Sequence, residues 1–241
     1  LRRMFTAPEG CVLVDADYSQ IELRLLAHIA GDTEMQAAFR SGEDFHTVTA
    51  SRVFHVSPEE VTPEMRRRAK AVNFGIVYGI SAFSLAQDIG VTVAEAKAYM
   101  ERYFETYQGV RQYMTDVVAK AEQDGYVQTL MHRRRALPEL KSSNFNLREF
   151  GKRVALNMPV QGTAADIMKL AMVRVHRRLK REGLRARLLM QVHDELIVEC
   201  PASEREQVER LLTEEMEQAA SLSVPLIAEA HSGKNWLAAK E

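Results

Sequence analysis

The sequence predicts an α+β protein with a small antiparallel sheet and a mainly helical middle. Short apolar runs bounded by turn residues, which are typical of strands, lie near both ends of the chain. Between them, apolar residues recur at helical spacing behind repeated helix-start signals. The 241 residues, of which 46% are hydrophobic and 27% charged, suffice for one large domain or two small ones with a buried core.

The first predicted strand covers residues 11–17, which read CVLVDAD and so end in carboxylates. A helix follows, because Ile21 and Leu25 share one helical face and Gly31 is a common type of residue at a helix C-terminus. Residues 32–56 then predict short helices and loops.

Capping signals place the next helices. Residues 57–60, SPEE, have the capping-box pattern with proline at the first helical position. Thr62 offers an N-cap for the helix that contains residues 65–79. A second capping box at 92–95 begins an amphipathic helix that continues to Tyr107.

The following segment predicts two more helices and a connection between them. Residues 113–122 are predicted to be helical, and residues 125–140 are predicted to form a loop or a hairpin. The helix over 144–158 is expected to end at Pro159, and Thr163 is expected to cap the helix after it.

The last segment returns to strands. Residues 186–200, ARLLMQVHDELIVEC, predict two strands around a tight turn. Residues 203–206 have a capping pattern for a last helix, and residues 224–230 predict a final strand.

Charge and cysteine content narrow the choice of partners. The net charge is −1, with 32 basic and 33 acidic residues, so a polyanion would have to be bound by local clusters. Cys11 and Cys200 lack metal-ligand spacing, which favours reduced thiols in a cytoplasmic protein. No apolar run reaches the roughly 18 residues of a membrane span, so no membrane partner is expected.

Carboxylates from two distant segments are candidates for metal binding. Asp15 and Asp17 point to one face of the first strand, and Asp194 lies in the turn His193-Asp194-Glu195 between two apolar strands. If the first strand lies beside that hairpin, the carboxylates converge, and such a pair can hold two Mg²⁺ ions for phosphoryl displacement. The alternatives are a helix N-cap for Asp17 and a solvated turn for Asp194.

A basic and aromatic helix face is a candidate nucleotide site. Arg66, Lys70, Phe74 and Tyr78 recur at intervals of four and so share one face. Cations suit phosphates and ring faces suit a base, as in a nucleoside triphosphate. The alternative is a basic surface followed by core aromatics.

A second polar face has the same spacing. Arg153, Asn157 and Gln161 could contact base edges, sugars or phosphates, or they could form an ordinary polar helix face. His46 stands alone, and a surface or helix-cap histidine is the simpler interpretation.

These segments, in this order, resemble the family A DNA polymerases, the bacterial DNA polymerase I group. Three motifs carry the resemblance: DYSQIELR at 17–24, the segment 66–79 with Lys70 and Asn73 in place, and QVHDE at 191–195. Residues 157–166, NMPVQGTAAD, are also similar. The similarity covers essentially the whole chain, and three long motifs in register are far more specific than one short pattern.

The resemblance implies a role for each matching residue. Asp17, Asp194 and Lys70 would be catalytic, and Asp17, Asp194 and the Tyr18 backbone would hold two Mg²⁺ ions, for which Mn²⁺ can substitute. The incoming dNTP would be bound by Arg66, Lys70, Phe74, Tyr78, Glu22, His46 and Gln20. Primer-template DNA would be contacted by Arg153, Asn157, Gln161, His193 and Gln191. Glu195 and the additional Asp15 are expected to be auxiliary carboxylates.

The resemblance also implies a division of the chain. Residues 1–30 would be the first part of the palm, 31–164 the fingers with the motif helix at 63–79, and 165–241 the second part of the palm with the hairpin at 186–200. In the family, the thumb and exonuclease regions lie upstream. The chain is therefore expected to be a fragment that needs the upstream thumb and palm for tight DNA binding.

The implied activity is template-directed addition of dNTPs to a primer 3′-hydroxyl, with release of pyrophosphate. A single-subunit RNA polymerase is one alternative, against which Glu22 argues, because a carboxylate hydrogen-bonded to Tyr78 would reject a 2′-hydroxyl. A non-catalytic nucleic-acid-binding module is the other. Metal binding at Asp17 and Asp194 distinguishes it from an enzyme.

Overall fold

The structure, a computed structural model, describes residues 1–240 and has the predicted α+β class. The strands are β1 (Cys11–Tyr18), β2 (Tyr126–Gln128), β3 (Arg134–Ala136), β4 (Arg187–Val192), β5 (Glu195–Pro201) and β6 (Ala228–Gly233). The helices are α1 (Ile21–Ile29), α2 (Thr33–Ser41), α3 (Phe45–Phe54), α4 (Pro63–Val77), α5 (Ala82–Ile89), α6 (Val93–Thr106), α7 (Gln108–Asp124), α8 (Phe145–Arg181) and α9 (Arg205–Glu217). Within the described residues, no helix has the length and apolar character needed to cross a membrane.

The chain folds into two compact units. Leu1–Ile21 together with Ala164–Glu241 form the first, which we call the sheet unit. Glu22–Thr163 form the second, which we call the helical unit.

Strand β1 lies inside the four-stranded sheet of the sheet unit, whose order is β4-β5-β1-β6. It pairs antiparallel with β5, so that Asp17 is opposite Glu195, and antiparallel with β6, so that Asp17 is opposite Glu229. The first strand therefore does lie beside the β4–β5 hairpin, as the convergence of the carboxylates requires.

The two faces of β1 have different neighbours. On one face, Tyr18 donates a 2.6 Å hydrogen bond from its hydroxyl to the carbonyl of Met216 on α9. On the other face, Leu13 packs with Trp236, whose indole N–H donates to Asp15 at 2.9 Å. Since side chains alternate along a strand, Asp15 and Asp17 both belong to the Trp236 face.

The helical unit packs around buried aromatic side chains. Phe45 of α3 packs with Tyr107, which is fully buried and hydrogen-bonds Thr49 at 3.2 Å between the hydroxyl oxygens. The predicted N-caps Thr62 and Thr92 accept hydrogen bonds from the backbone N–H groups three residues on. Residues 125–140 contain the β2–β3 hairpin, which settles the loop-or-hairpin alternative.

The predicted helix break at Pro159 is wrong, because α8 continues from Phe145 through Pro159 to Arg181. Proline removes a backbone donor and costs roughly 3 kcal/mol in a helix interior. Burial of Val160 and Ile167 on the same helix offsets this cost. Thr163 is therefore not an N-cap; its hydroxyl donates to the Pro159 carbonyl and accepts from Leu130 N.

Two further boundaries differ from prediction. The last strand begins at Ala228 rather than 224, in part because Pro225 has no N–H for a ladder. Helix α9 begins at Arg205 without a cap from Ser203, because Ser203 lies within a 3-10 turn, Ala202–Glu204, that leads directly into the helix.

Candidate functional site

The β4–β5 hairpin turns through two residues, His193 and Asp194. His193 adopts a left-handed conformation with φ 53°, which is uncommon for a residue other than glycine and suits a tight hairpin turn. The side-chain amide of Gln191 donates to the His193 carbonyl at 2.6 Å. The Asp194 carbonyl accepts from Tyr18 N at 3.1 Å, so the turn is anchored to the end of β1.

The carboxylates beside this turn retain unused acceptor atoms. Asp17 Oδ1 and Glu195 Oε1 are buried and accept no hydrogen bond. Within residues 1–240, no group of three or more His, Cys, Asp or Glu side chains forms a complete metal site. Mg²⁺ commonly takes one or two carboxylates and completes its shell with substrate phosphates and water. The unused carboxylate oxygens of Asp17 and Glu195 are of the chemical type that a hard divalent cation prefers.

Lys240 lies among these carboxylates, which the sequence analysis missed. Its Nζ is 2.6 Å from Asp17 Oδ2 and 4.0 Å from Asp15 Oδ1, and it also contacts Glu195 Oε2. Burial lowers the pKa of Lys240, but hydrogen bonds to Asp17 and Glu195 outweigh it and raise the pKa above its ordinary range. An isolated lysine far along the chain gave no local signal of this role.

Asp15 is a buried companion of the carboxylate pair. It is 2% exposed, and burial, followed by the charge of Glu195, raises its pKa to about 6. The charge of Lys240 and the hydrogen bond from Trp236 oppose that rise. Asp15 therefore adds a buried carboxyl group, with a raised pKa, to the cluster.

Gln20 begins the turn into α1 with an unusual backbone. Its φ is 55°, and its Oε1 atom is buried without a hydrogen-bond partner. A strained residue with an unused buried acceptor is often a functional residue.

Helix α4 presents the predicted basic and aromatic face. Arg66, Lys70 and Tyr78 are exposed and Phe74 is half-buried, whereas the opposite side of the helix, including Ile76, is buried. Tyr78 caps the C-terminus of the helix. The four-residue spacing does place cations and rings along one exposed surface.

Arg66 is already paired with a carboxylate that the sequence analysis did not single out. Its Nε and Nη2 atoms donate to the two carboxylate oxygens of Asp44 at 2.8 and 2.9 Å. Asp44 also caps α3 through Thr47 N at 2.8 Å. Partial burial raises the pKa of Asp44, but the hydrogen bonds from Arg66 and Thr47 hold it well below its usual range.

His46 lies beneath this face as a neutral ring. It is 3% exposed, and its Nδ1 is 2.9 Å from Asn73 Nδ2. Burial lowers its pKa to about 4. The charges of Arg66 and Lys70 also lower the pKa, whereas the charge of Asp44 raises it. His46 can therefore hydrogen-bond an anion but contributes no charge at neutral pH.

Tyr78 is joined to the start of α1. Its hydroxyl donates a 2.7 Å hydrogen bond to Glu22 Oε2, as expected from the resemblance. Tyr78 is exposed and Glu22 is half-buried, so the pair can border a ligand.

A cleft in the helical unit gathers the second polar face. It has a volume of about 570 Å³ and is lined by Tyr78, Arg135, Phe150, Arg153, Val154, Asn157, Met158, Gln161 and Gly162. Phe150 was missed in the sequence because one exposed aromatic residue on a helix gives no specific signal. The cleft combines cations, amides and rings, which suits nucleobases and their phosphates.

Comparisons with known proteins identify the family. Residues 1–238 match the family model described as DNA polymerase family A. The chain is 55% identical over 241 residues to DNA polymerase I of Bacillus caldotenax and 56% identical over 241 residues to that of Geobacillus stearothermophilus, covering 100% of this chain and 28% of each relative. The DNA polymerase I of Bacillus subtilis (strain 168) is 55% identical over the whole chain, which covers 27% of that protein. The chain thus spans less than a third of the length of these curated relatives.

A solved structure agrees with these relatives. The POL domain of Pol1 from M. smegmatis, in complex with DNA primer-template and dNTP, is similar with a TM-score of 0.95 and 49% sequence identity, over 100% of this chain and 42% of that chain. The resemblance found in the motifs is confirmed: this chain belongs to DNA polymerase family A.

Proposed function

We propose that this chain is the palm and fingers portion of a DNA-directed DNA polymerase, which adds dNTPs to a primer 3′-hydroxyl and releases pyrophosphate. The sheet unit would be the palm and the helical unit the fingers. The observation that supports this most directly is the pairing of β1 with β5, which brings Asp17 beside the Asp194 turn. The primer-template and dNTP bound in the similar M. smegmatis structure point to the same substrates.

The metal ions would be held in the sheet unit. Asp17, Asp194 and the backbone carbonyl of Tyr18 would bind two Mg²⁺ ions, for which Mn²⁺ can substitute. Such ions lower the pKa of a primer hydroxyl and neutralise the charge of a triphosphate when they are bound. Asp17 Oδ1 and Glu195 Oε1 are available as metal ligands, because neither oxygen accepts a hydrogen bond that a cation would have to displace.

The triphosphate would be bound by the exposed face of α4. Lys70 and Arg66 supply positive charge, and His46 supplies a neutral hydrogen-bonding group. Lys70 can also donate a proton to the pyrophosphate as it leaves. Phe74 offers a half-buried ring against which a base or sugar can stack.

The primer-template would be contacted by two groups of residues. Arg153, Asn157 and Gln161 line the cleft of the helical unit. His193 and Gln191 lie at the hairpin turn of the sheet unit. The thumb that the family carries upstream would supply additional grip on the duplex.

Single-nucleotide primer extension with Mg²⁺, at high enzyme concentration, tests this proposal. We expect extension by the chain and a loss on the order of a thousandfold in Asp17→Ala and in Asp194→Ala, because each removes a metal ligand. Asp116→Ala, which removes an exposed carboxylate of α7, is the matched control. Circular dichroism would show that each variant is folded. Persistent extension by both site variants, or none by the folded chain, contradicts the proposal.

A further inference from the structure

Lys240 is held in a fixed position by the segment that follows β6. The indole of Trp236 donates to Asp15 Oδ2 at 2.9 Å, and the backbone N–H of Trp236 donates to the Phe5 carbonyl at 3.0 Å. The Phe5 ring meets the indole edge to face, with 5.5 Å between ring centroids, and the Arg2 guanidinium lies 5.0 Å from the indole centroid. Trp236 itself is only 8% exposed.

Close backbone packing adds to this anchorage. A Cβ atom at Gly233 would lie 2.6 Å from the backbone carbon of Ala238, so only glycine allows the turn to pack this tightly on β6. The N–H of Lys240 donates to the Leu237 carbonyl at 3.0 Å. The ammonium group of Lys240 therefore reaches the carboxylates from a backbone that is already ordered, which lowers the entropic cost of the contact.

The ammonium and a divalent cation would bind the same two carboxylates. Nζ of Lys240 hydrogen-bonds Asp17 Oδ2 and Glu195 Oε2, and it lies 4.0 Å from Asp15 Oδ1. Mg²⁺ binds carboxylate oxygens at roughly 2.0–2.1 Å, so an ion on Asp17 or Glu195 would lie within a few ångströms of the ammonium. Two cations at that separation repel each other strongly in a partly buried site.

We propose that Lys240 is an internal counterion that competes with divalent metal ions for Asp17 and Glu195. Its ammonium offsets part of the negative charge of Asp17 and Glu195 until a metal ion binds, and it withdraws when the metal ion arrives. Withdrawal needs no backbone movement, because the side chain is 27% exposed and has four flexible methylene groups. The inference rests on the proposed function insofar as Asp17 is a metal ligand.

Mn²⁺ titration without nucleotide or DNA tests the competition directly. The free Mn²⁺ concentration, measured by electron paramagnetic resonance, gives the dissociation constant for the wild-type chain and for Lys240→Met. We expect Lys240→Met to bind Mn²⁺ about tenfold more tightly, which corresponds to about 1.4 kcal/mol. Lys234→Met is the matched control, since Lys234 is an exposed lysine of the same segment and its loss changes the net charge equally.

Thermal unfolding supplies a second readout. Without metal, we expect Lys240→Met to melt at a lower temperature than the wild type, because Asp17 and Glu195 lose their counterion. Saturating Mn²⁺ should raise its melting temperature more than that of the wild type.

The results distinguish this inference from the proposed function. The proposed competition would be contradicted if Lys240→Met bound Mn²⁺ as tightly as the wild type or more weakly. It would also be contradicted if Lys234→Met gained as much affinity as Lys240→Met, or if neither the wild type nor Lys240→Met bound Mn²⁺. Primer extension plays no part in these measurements. A chain that binds Mn²⁺ as expected but does not extend a primer would contradict the proposed function alone.

Discussion

The guanidinium of Arg66 is held by both carboxylate oxygens of Asp44, at 2.8 and 2.9 Å. This fork-to-fork geometry is the one in which arginine also binds a phosphate. Asp44 thus engages the N–H groups of Arg66 that a triphosphate would need on the nucleotide-binding face proposed for α4.

Replacing Asp44 by Asn should therefore strengthen triphosphate binding. The substitution frees the Arg66 guanidinium and removes a negative charge, while Asn keeps the helix N-cap of α3. We expect the dissociation constant for dATP, measured by calorimetry, to fall roughly three- to tenfold, or about 1 kcal/mol. Glu43→Gln is the control, because it removes a neighbouring charge that does not contact Arg66. Unchanged or weaker binding by Asp44→Asn would show that the ion pair does not limit phosphate binding.

The Tyr78–Glu22 hydrogen bond predicts discrimination between sugars. A carboxylate fixed at 2.7 Å from the tyrosine hydroxyl would crowd and desolvate a ribose 2′-hydroxyl. Glu22→Ala should raise the ratio of kcat/KM for rNTPs to that for dNTPs by about tenfold or more, a change of at least roughly 1.4 kcal/mol.

Glu22→Gln separates size from charge in the same assay. It keeps the volume of the side chain and an acceptor for Tyr78, so most discrimination should remain. If Glu22→Ala has the same rNTP-to-dNTP ratio of kcat/KM as the wild type, another residue selects the sugar. If the wild type prefers rNTPs, the RNA polymerase alternative is favoured.

His46 predicts a specific dependence of stability on pH. Its folded-state pKa is lowered from 6.5 to about 4, first by burial, with Arg66 and Lys70 adding to the effect and Asp44 opposing it. The unfolded chain therefore binds a proton between these values that the native state does not. Stability from this group is fully present above pH 6.5 and is lost as the pH falls toward 4.

The variant His46→Gln should flatten this part of the stability curve. Glutamine can still hydrogen-bond Asn73 but does not titrate. The free energy of unfolding in urea should fall less steeply between pH 6.5 and 4 than in the wild type, by a difference of up to about 3 kcal/mol. Parallel curves for the two proteins would mean that His46 ionises equally in the folded and unfolded states.

Local patterns in the sequence were enough to predict the exposed face of α4 and the β4–β5 hairpin. Residues spaced four apart lie on the same face of a helix whatever packs against it. Alternating apolar residues on both sides of His193-Asp194-Glu195 predict a hairpin. The convergence of Asp17 with that hairpin was also predicted, on the condition that the first strand lies beside the hairpin. It depends on a strand pairing that no local pattern specifies.

The missed features all depend on tertiary contacts. Pro159 was expected to end a helix on local propensity, but burial of α8 on both sides of it sustains the helix. Lys240 and Asp44 are ordinary surface-type residues in sequence. The anchored turn after β6 places Lys240 beside Asp17, and the N-cap position of α3 places Asp44 beside Arg66. Both partners lie far away in the sequence.

A further prediction concerns the end of α4, where Gly75 allows a close approach. A Cβ atom at Gly75 would lie 2.6 Å from Cγ2 of Ile80, and the Gly75 carbonyl accepts a hydrogen bond from Ile80 N at 2.8 Å. Gly75→Ala should lower the free energy of unfolding by roughly 1–3 kcal/mol through overpacking, despite the better helix propensity of alanine.

A double-mutant cycle measures whether this steric contact is the cause. Ile80→Ala removes Cγ2, the atom nearest to the new methyl group, so Gly75→Ala should cost much less in that background than in the wild type. Urea unfolding of the four proteins gives the coupling energy, which we expect to be on the order of 1 kcal/mol or more. Additive effects would show that the cost of Gly75→Ala does not come from contact with Ile80. Because Gly75 lies one residue after Phe74, the same cycle repeated with dATP bound would show whether that packing also holds the ring in position for a nucleotide.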